Sequence, residues 1–389
     1  MYSCGLKHAG ERLDKKIIAG FNYCCDLVKY MRTGELEAIE LPQELLELEA
    51  WLVIGEQKEI AVSESTLNYL VDSLGYDEER AGGLVGQIAR EAPGLGVEVY
   101  AHVAGKCRKF TGINSDKVLI VDKGGFRPAI QFNKECIPPR HFVMEFEKGL
   151  EVSGKKLESS IRIIATYDSC AFDFLLDDEF LYSIKNEVKE INKVVLSGFH
   201  LVLESSAGKI RQVGKIIEEW REINPDIFIH IEFGQFQNRR ALEETEKLFP
   251  LIDSIGLNSE ELVAVTGEEE LEKGLSILAD RVERILFHNQ YCSALITSSD
   301  NPKEARAALQ FASICSAYKI LHDKVLNLRE LENFKISRLS ERGIEIAQNL
   351  KIADFNGKKA IVVPSLYIES PRSLVGAGDT FVLAYTLVM

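Results

Sequence analysis

Short, continuously apolar runs rich in Val and Ile alternate with helical-period segments along most of the second half of this 389-residue chain. The strand candidates are residues 16–22, 97–103, 193–198, 226–233, 253–257, 284–288, 294–297 and 360–364. Between them, residues 205–221, 238–248, 268–283 and 303–322 carry apolar side chains at helical spacing. A strand that is apolar at every position needs cover on both faces. Such strands alternating with amphipathic helices therefore predict a parallel sheet between helical layers, an α/β fold.

Residues 117–168 break the pattern. Short strands follow one another there with Gly and Pro turns and no helical period, and His141–Glu147 (HFVMEFE) reads as a partly exposed antiparallel strand. The stretch predicts a small β-rich domain inserted into the larger one. Its expected limits are 35–63 with 118–168, leaving 1–34, 64–117 and 169–389 to the large domain. The acidic, leucine-bearing stretch 35–49 is expected to be the solvated face of a helix.

Sixty acidic side chains against 46 basic ones give a formal charge of -14, which repels phosphate backbones and argues against nucleic acid as a partner. No apolar run approaches the roughly 18–20 residues that cross a bilayer, and the charged start (MYSCGLKHAGERLDKK) predicts no export signal. None of the eight cysteines forms a CxxC pair, so free thiols in a reducing cytoplasm are expected.

The most informative segment is Ser373–Phe381 (SLVGAGDTF). Gly376 and Gly378 around Ala377 allow a turn whose amides point one way, and a helix starting near Asp379 adds its dipole. That arrangement suits phosphoryl transfer: the amides stabilise charge, and Asp379 takes the proton of the attacking hydroxyl. The plain alternative is a Gly-rich strand-to-helix turn with Asp379 as cap.

Four further segments are weaker. Asn258 and Glu261 suit either Mg2+ or a capping box. In HIEF (His230–Phe233), Glu232 points into the carboxyl end of the sheet as a metal-shell candidate, while His230 reads as a satisfied core histidine. In Arg80–Ala89 (RAGGLVGQIA), Gly82, Gly83 and Gly86 permit close backbone approach at a helix start. Asn22 and Asp26 end a strand with groups suited to a polyhydroxylated ligand, or to a turn. A Walker A loop is absent: Cys107 follows Gly105-Lys106, and Tyr100 holds the earlier glycine position.

In this order along the chain, the segments resemble the ribokinase-like superfamily, and within it the ADP-dependent glucokinase and phosphofructokinase family. HIEF, the run SIGLNSEE (Ser254–Glu261), the ending VVPSLYIESPRSLVGAGDTF, SGFH (Ser197–His200) and HFVMEFEKG carry the resemblance over about residues 16–389. It implies an αβα sandwich with a smaller β-rich lid. It also implies a magnesium-dependent sugar kinase of carbohydrate metabolism that moves the β-phosphoryl of ADP and releases AMP. By position it implies Asp379 as base, Gly376, Ala377 and Gly378 as anion hole, and Glu232, Glu261 and Asn258 around Mg2+. Asn22, Asp26 and Gly83 would lie near the acceptor, and Arg239, Arg240 and Val375 near the nucleotide. The chain departs from the family pattern at Cys24, where asparagine is usual, at His200, where glutamine is common, and at Gly234-Gln235 and Ser259.

The expected partners are a small sugar and ADP, for a cytoplasmic monomer or small homo-oligomer with no nucleic acid or membrane. Glucose, fructose 6-phosphate and a ribose derivative stay open as acceptors, with Arg162, Lys106 and Arg108 as cations for a phosphorylated one. A silent sugar or nucleotide sensor and an ATP-using ribokinase relative are the alternatives.

Overall fold

Among the described residues, seven parallel strands make the middle of the main sheet, in the spatial order Arg284–His288, Ser254–Leu257, Phe228–Glu232, Lys193–Leu196, Lys16–Gly20, Glu98–Ala101, Val118–Asp122. Antiparallel strands extend it on both edges, Cys292–Thr297 and Lys359–Pro364 on one and Gly125–Pro128 on the other. The computed structural model describes residues 3–104, 113, 115–132, 138–299, 301–335 and 338–389. Lys106, Arg108, Cys107 and Cys136 lie outside them.

Two apolar layers cover the sheet. Helices Ser3–Arg12, Gly83–Glu91, Pro302–His322 and Ala377–Val388 pack on one face through residues such as Ala9, Val85, Phe311 and Tyr385. Helices Asp178–Ile184, Arg211–Ile223, Arg239–Glu246, Leu271–Ala279 and Glu341–Ile352 cover the other through Phe180, Trp220, Leu242, Leu278 and Leu350. Burial on both faces is what the continuous apolar strands require, and the αβα sandwich is present. Among the described residues no helix is long and apolar enough to cross a membrane.

A second, five-stranded sheet has the order Lys58–Ala61, Ile161–Tyr167, Arg140–Phe146, Cys24–Tyr30, Glu78–Gly82. Alternation divides its faces. Leu27, Phe142, Met144, Phe146, Ile161 and Ile163 turn toward a small core capped by Leu45, Leu48, Leu67 and Leu70. Cys24, Asp26, His141, Glu145, Arg162 and Thr166, at the intervening positions, share the opposite face.

Sheet membership differs from the sequence limits. Residues 24–30 and 78–82 pair within the small sheet, whereas 118–122 and 125–128 extend the large one, where Val118 and Ile120 join the main core. Apolar runs reveal strands but not which sheet receives them. Arg140–Phe146 is buried rather than partly exposed, and it pairs parallel with Cys24–Tyr30 as well as antiparallel with Ile161–Tyr167. Residues 35–49 are not one helix. Turns lead through Pro42 to a 3-10 turn at Gln43–Leu45, and the helix is Leu48–Ile54. Leu36, Leu45 and Leu48 are nonetheless buried beneath the exposed acids.

Candidate active site

The strands ending at Gly20, Glu232, Leu257 and His288 present their carboxyl ends to one cavity, and the polar face of the small sheet closes it from the other side. The cavity holds about 210 Å³. At about 30 Å³ per water that is room for roughly seven waters, so it suits a small polar molecule rather than a lone ion.

At one end, Asn22 and Asp26 line it together with Gly83. Gly83 has φ +64°, and a Cβ there would stand 2.6 Å from the Asn22 carbonyl oxygen, so this helix start needs glycine. Among the described residues Asn22 Oδ1 is buried without a partner. Burial raises the Asp26 carboxyl, against His141, Cys24 and Arg80.

Glu59, on the edge strand of the small sheet, reaches the same place. Its Oε1 accepts from Thr166 Oγ1 at 2.9 Å, and its carboxylate lies 3.4 Å from His200 Nε2 and 3.7 Å from His141 Nδ1. Burial opposes ionisation, but His200, His141 and Thr166 together outweigh it and hold the carboxyl at about 2. The backbone of Glu59 is also tied across the cleft. Its N–H donates to Gln235 Oε1 at 3.1 Å, and its carbonyl accepts from Gln237 Nε2 at 3.0 Å.

At the other end, Gly376 with φ +72° precedes the helix Ala377–Val388, and Gly376, Ala377, Gly378 and Asp379 all line the cavity. The Ala377 N–H donates to Leu374 O at 3.3 Å. The amides of Gly378 and Asp379 are first-turn groups with no intrahelical acceptor. Burial and then the Glu232 charge push the Asp379 carboxyl up to about 7, with Arg162 pulling it down. Arg162 comes from the small sheet, and its Nη1 donates to Leu374 O at 3.3 Å.

Glu232 sits between two histidines, with Oε1 2.9 Å from His288 Nε2 and Oε2 3.1 Å from His230 Nε2. Burial raises its carboxyl, yet these rings outweigh burial and lower it. His230 is satisfied inside the sheet, its Nδ1 3.1 Å from Ser254 Oγ. Asn258 and Glu261 form a full capping box, and both line the cavity. Burial and the Glu232 charge push Glu261 up to about 7. A carboxylate held ionised next to one that its charge raises, both beside an open space, is suited to a divalent cation.

Sequence reasoning placed Asn22, Asp26, Gly83, Glu232, Asn258, Glu261, Val375 and Gly376–Asp379, and the structure brings all of these to one cavity. It does not bring Arg239 and Arg240 there. Both are exposed on the first turn of their helix, where Arg239 pairs with Glu243 at 2.9 Å. Sequence reasoning missed Glu59, Gln87, His141 and His288 as lining residues. His288 closes its strand as Glu232 closes the one two places away, beyond Ser254–Leu257, so the strand-end rule that found Glu232 also finds His288.

A family model, "ADP-specific Phosphofructokinase/Glucokinase conserved region", matches residues 15–388. The ADP-dependent glucose/glucosamine kinase of Pyrococcus abyssi is 25% identical over 94% of this chain and 92% of its own length. The ADP-specific phosphofructokinase of Methanosarcina acetivorans is 26% identical over 80% of this chain and 76% of its own. A solved "ADP-dependent kinase complex with fructose-6-phosphate and ADPbetaS" shares the fold at a TM-score of 0.83, with 22% identity over 100% of this chain and 96% of that one.

Proposed function

The chain belongs to the ADP-specific phosphofructokinase/glucokinase family, and from that premise we propose that it moves the β-phosphoryl group of ADP to a hydroxyl of a neutral sugar of the glucose type, releasing AMP. One observation carries the reading. Asp379, at a helix N-terminus, lines the same cavity as Asp26 and Glu59, which are suited to hold a polyol.

The acceptor hydroxyl gives its proton to Asp379 as its oxygen attacks the β-phosphorus, and the bond to the bridging oxygen breaks, so AMP leaves with that electron pair. A base near neutrality is matched to this work. The helix N-terminus and Arg162 stabilise charge on the moving group. Mg2+ fits Glu232 and Glu261, whose mutual repulsion it would relieve, and when bound it supplies neutralisation of the donor phosphates. The small sheet, joined to the large domain through Glu59, Gln235 and Gln237, acts as the lid that keeps water from the donor.

A neutral acceptor is what the charge among the described residues favours. Among the described lining residues Arg162 is the one Lys or Arg, and it is turned to Leu374 at the transfer end. Glu59, held ionised beside His141 and lining the same cavity as Asp26, would repel a phosphate ester and accept hydrogen bonds from hydroxyls.

The test is AMP formation from ADP with glucose, fructose 6-phosphate or ribose, and ADP formation from ATP with the same three. Turnover of glucose with ADP is expected. A strong preference for fructose 6-phosphate would overturn the neutral acceptor, preference for ATP the donor, and no turnover with any pair the kinase reading itself.

A further inference from the structure

Cys24, Asp26 and His141 are brought together by the register of the small sheet. Cys24 and Asp26 are two apart on one strand and so share a face, and Asp26 is paired directly with His141 on the neighbouring strand. One ligand atom from each lies within 4.8 Å of the others, and all three side chains are buried, at 0%, 6% and 4% exposure. Cys24 Sγ donates to Asp26 Oδ1 at 3.4 Å. A tetrahedral zinc ion, with Zn–S about 2.3 Å and Zn–O about 2.0–2.2 Å, requires a sulfur-to-oxygen separation of roughly 3.5 Å. That separation is already present.

A second observation points to a ligand. Among the described residues His141 Nε2 is buried without a hydrogen-bond partner, although His141 and Asp26 both line the cavity. Carboxylates flank the ring on both sides, Glu59 Oε1 3.7 Å from Nδ1 and Asp168 Oδ2 3.9 Å from Nε2. Glu59 faces the ring nitrogen that stays free when Nε2 takes a metal, which is where a carboxylate orients a bound imidazole and raises its basicity.

We propose that Cys24, Asp26 and His141 bind one thiophilic divalent cation of the Zn2+ class, and that the bound ion excludes the acceptor sugar. The second half rests on the reading of this cavity as the acceptor site. Thiolate, imidazole and one carboxylate are the donors that zinc selects, with the fourth position open to the cavity, and the thiol proton is released to solvent on binding. Mg2+ prefers oxygen ligands and retains its waters, so the ion serving phosphoryl transfer does not compete for this set. The site makes the kinase sensitive to free zinc without touching Asp379.

Cobalt(II) reports the site directly, because a thiolate ligand gives a charge-transfer band that oxygen and nitrogen ligands do not. The full chain without sugar should take up one Co2+ with this band, and Cys24→Ser should abolish it. Zinc inhibition of turnover should weaken in C24S by more than the roughly 10–100-fold that loss of an outer-shell partner costs. Glucose or fructose 6-phosphate, added to the cobalt-loaded wild type, should bleach the band, a measurement that does not depend on any variant folding. Absence of the band, or an unchanged band in C24S, overturns the site. A band that persists when both sugars are saturating overturns the exclusion. A band lost in C24S in a protein that phosphorylates no sugar keeps the site and overturns the kinase reading instead.

Discussion

Glu59 and His200 meet across the cleft, one from the edge strand of the small sheet and one from the large domain, with the carboxylate 3.4 Å from Nε2. The contact depends on Gly234, since a Cβ there would stand 2.6 Å from the His200 ring. The main chain of His200 cannot yield freely, because its carbonyl accepts from the Gln237 N–H at 3.0 Å. Gly234→Ala therefore turns the imidazole away and frees Glu59 to protonate or move. A hydrogen bond to a charged group contributes about 1.5–3 kcal/mol, so the KM for the acceptor is expected to rise roughly 10–100-fold. The KM for ADP should stay within a few-fold. Steady-state kinetics with each substrate varied in turn checks this, and an equal rise in both constants would contradict it.

Asp379→Ala removes the carboxylate proposed as proton acceptor while leaving Gly376 and the turn before it intact. Loss of a general base costs roughly 10²–10⁴-fold in turnover. ADP affinity, measured by calorimetry, should remain near that of the wild type. Unchanged turnover would take Asp379 out of the mechanism.

The large domain was legible because its signals are local. Continuous apolar strands, the helix start at Gly83 and the Gly376-Ala377-Gly378-Asp379 turn each announce themselves within ten residues. Glu59 and His141 were not legible as a pair. They are 82 positions apart and meet through strand pairing that no local pattern encodes. The hairpin at 118–128 was given to the wrong sheet for the same reason, since Val118 and Ile120 are apolar in either. Asn258 and Glu261 show a third limit: one pair of side chains both caps a helix and faces the cavity, whereas their spacing in the sequence favours the cap.

The rate should depend on pH through the Asp379 carboxyl, which stands at about 7. The base works only when ionised, so kcat/KM rises as pH passes upward through about 7 and levels above it. Glu232 is the largest charge raising that value, and Glu232→Gln removes it. The acid limb of the residual activity should then move to lower pH. A limb that stays in place or moves upward in E232Q would show that another group controls it.

Arg80 and Asp323 join the small sheet to the end of the helix Pro302–His322, Nη1 to carboxylate at 3.3 Å. Asp323 adopts φ +48° there, a conformation that Asp and Asn tolerate better than Ala. Its carboxylate also pairs with Lys319, which is fully buried, and lies 3.6 Å from Arg90. Burial raises the Asp323 carboxyl, but these three cations outweigh it and lower it. Asp323→Asn keeps the backbone preference and deletes only the charge, leaving Lys319 and Arg80 buried beside one another with far less compensation. Breaking a buried pair from one side costs about 3–5 kcal/mol, so the urea midpoint of D323N should fall well below that of the wild type. Lys319→Met made in addition removes the most deeply buried of the stranded cations. If uncompensated charge rather than lost packing is the cause, the double variant should recover part of the loss, and a midpoint lower than that of D323N would refute it.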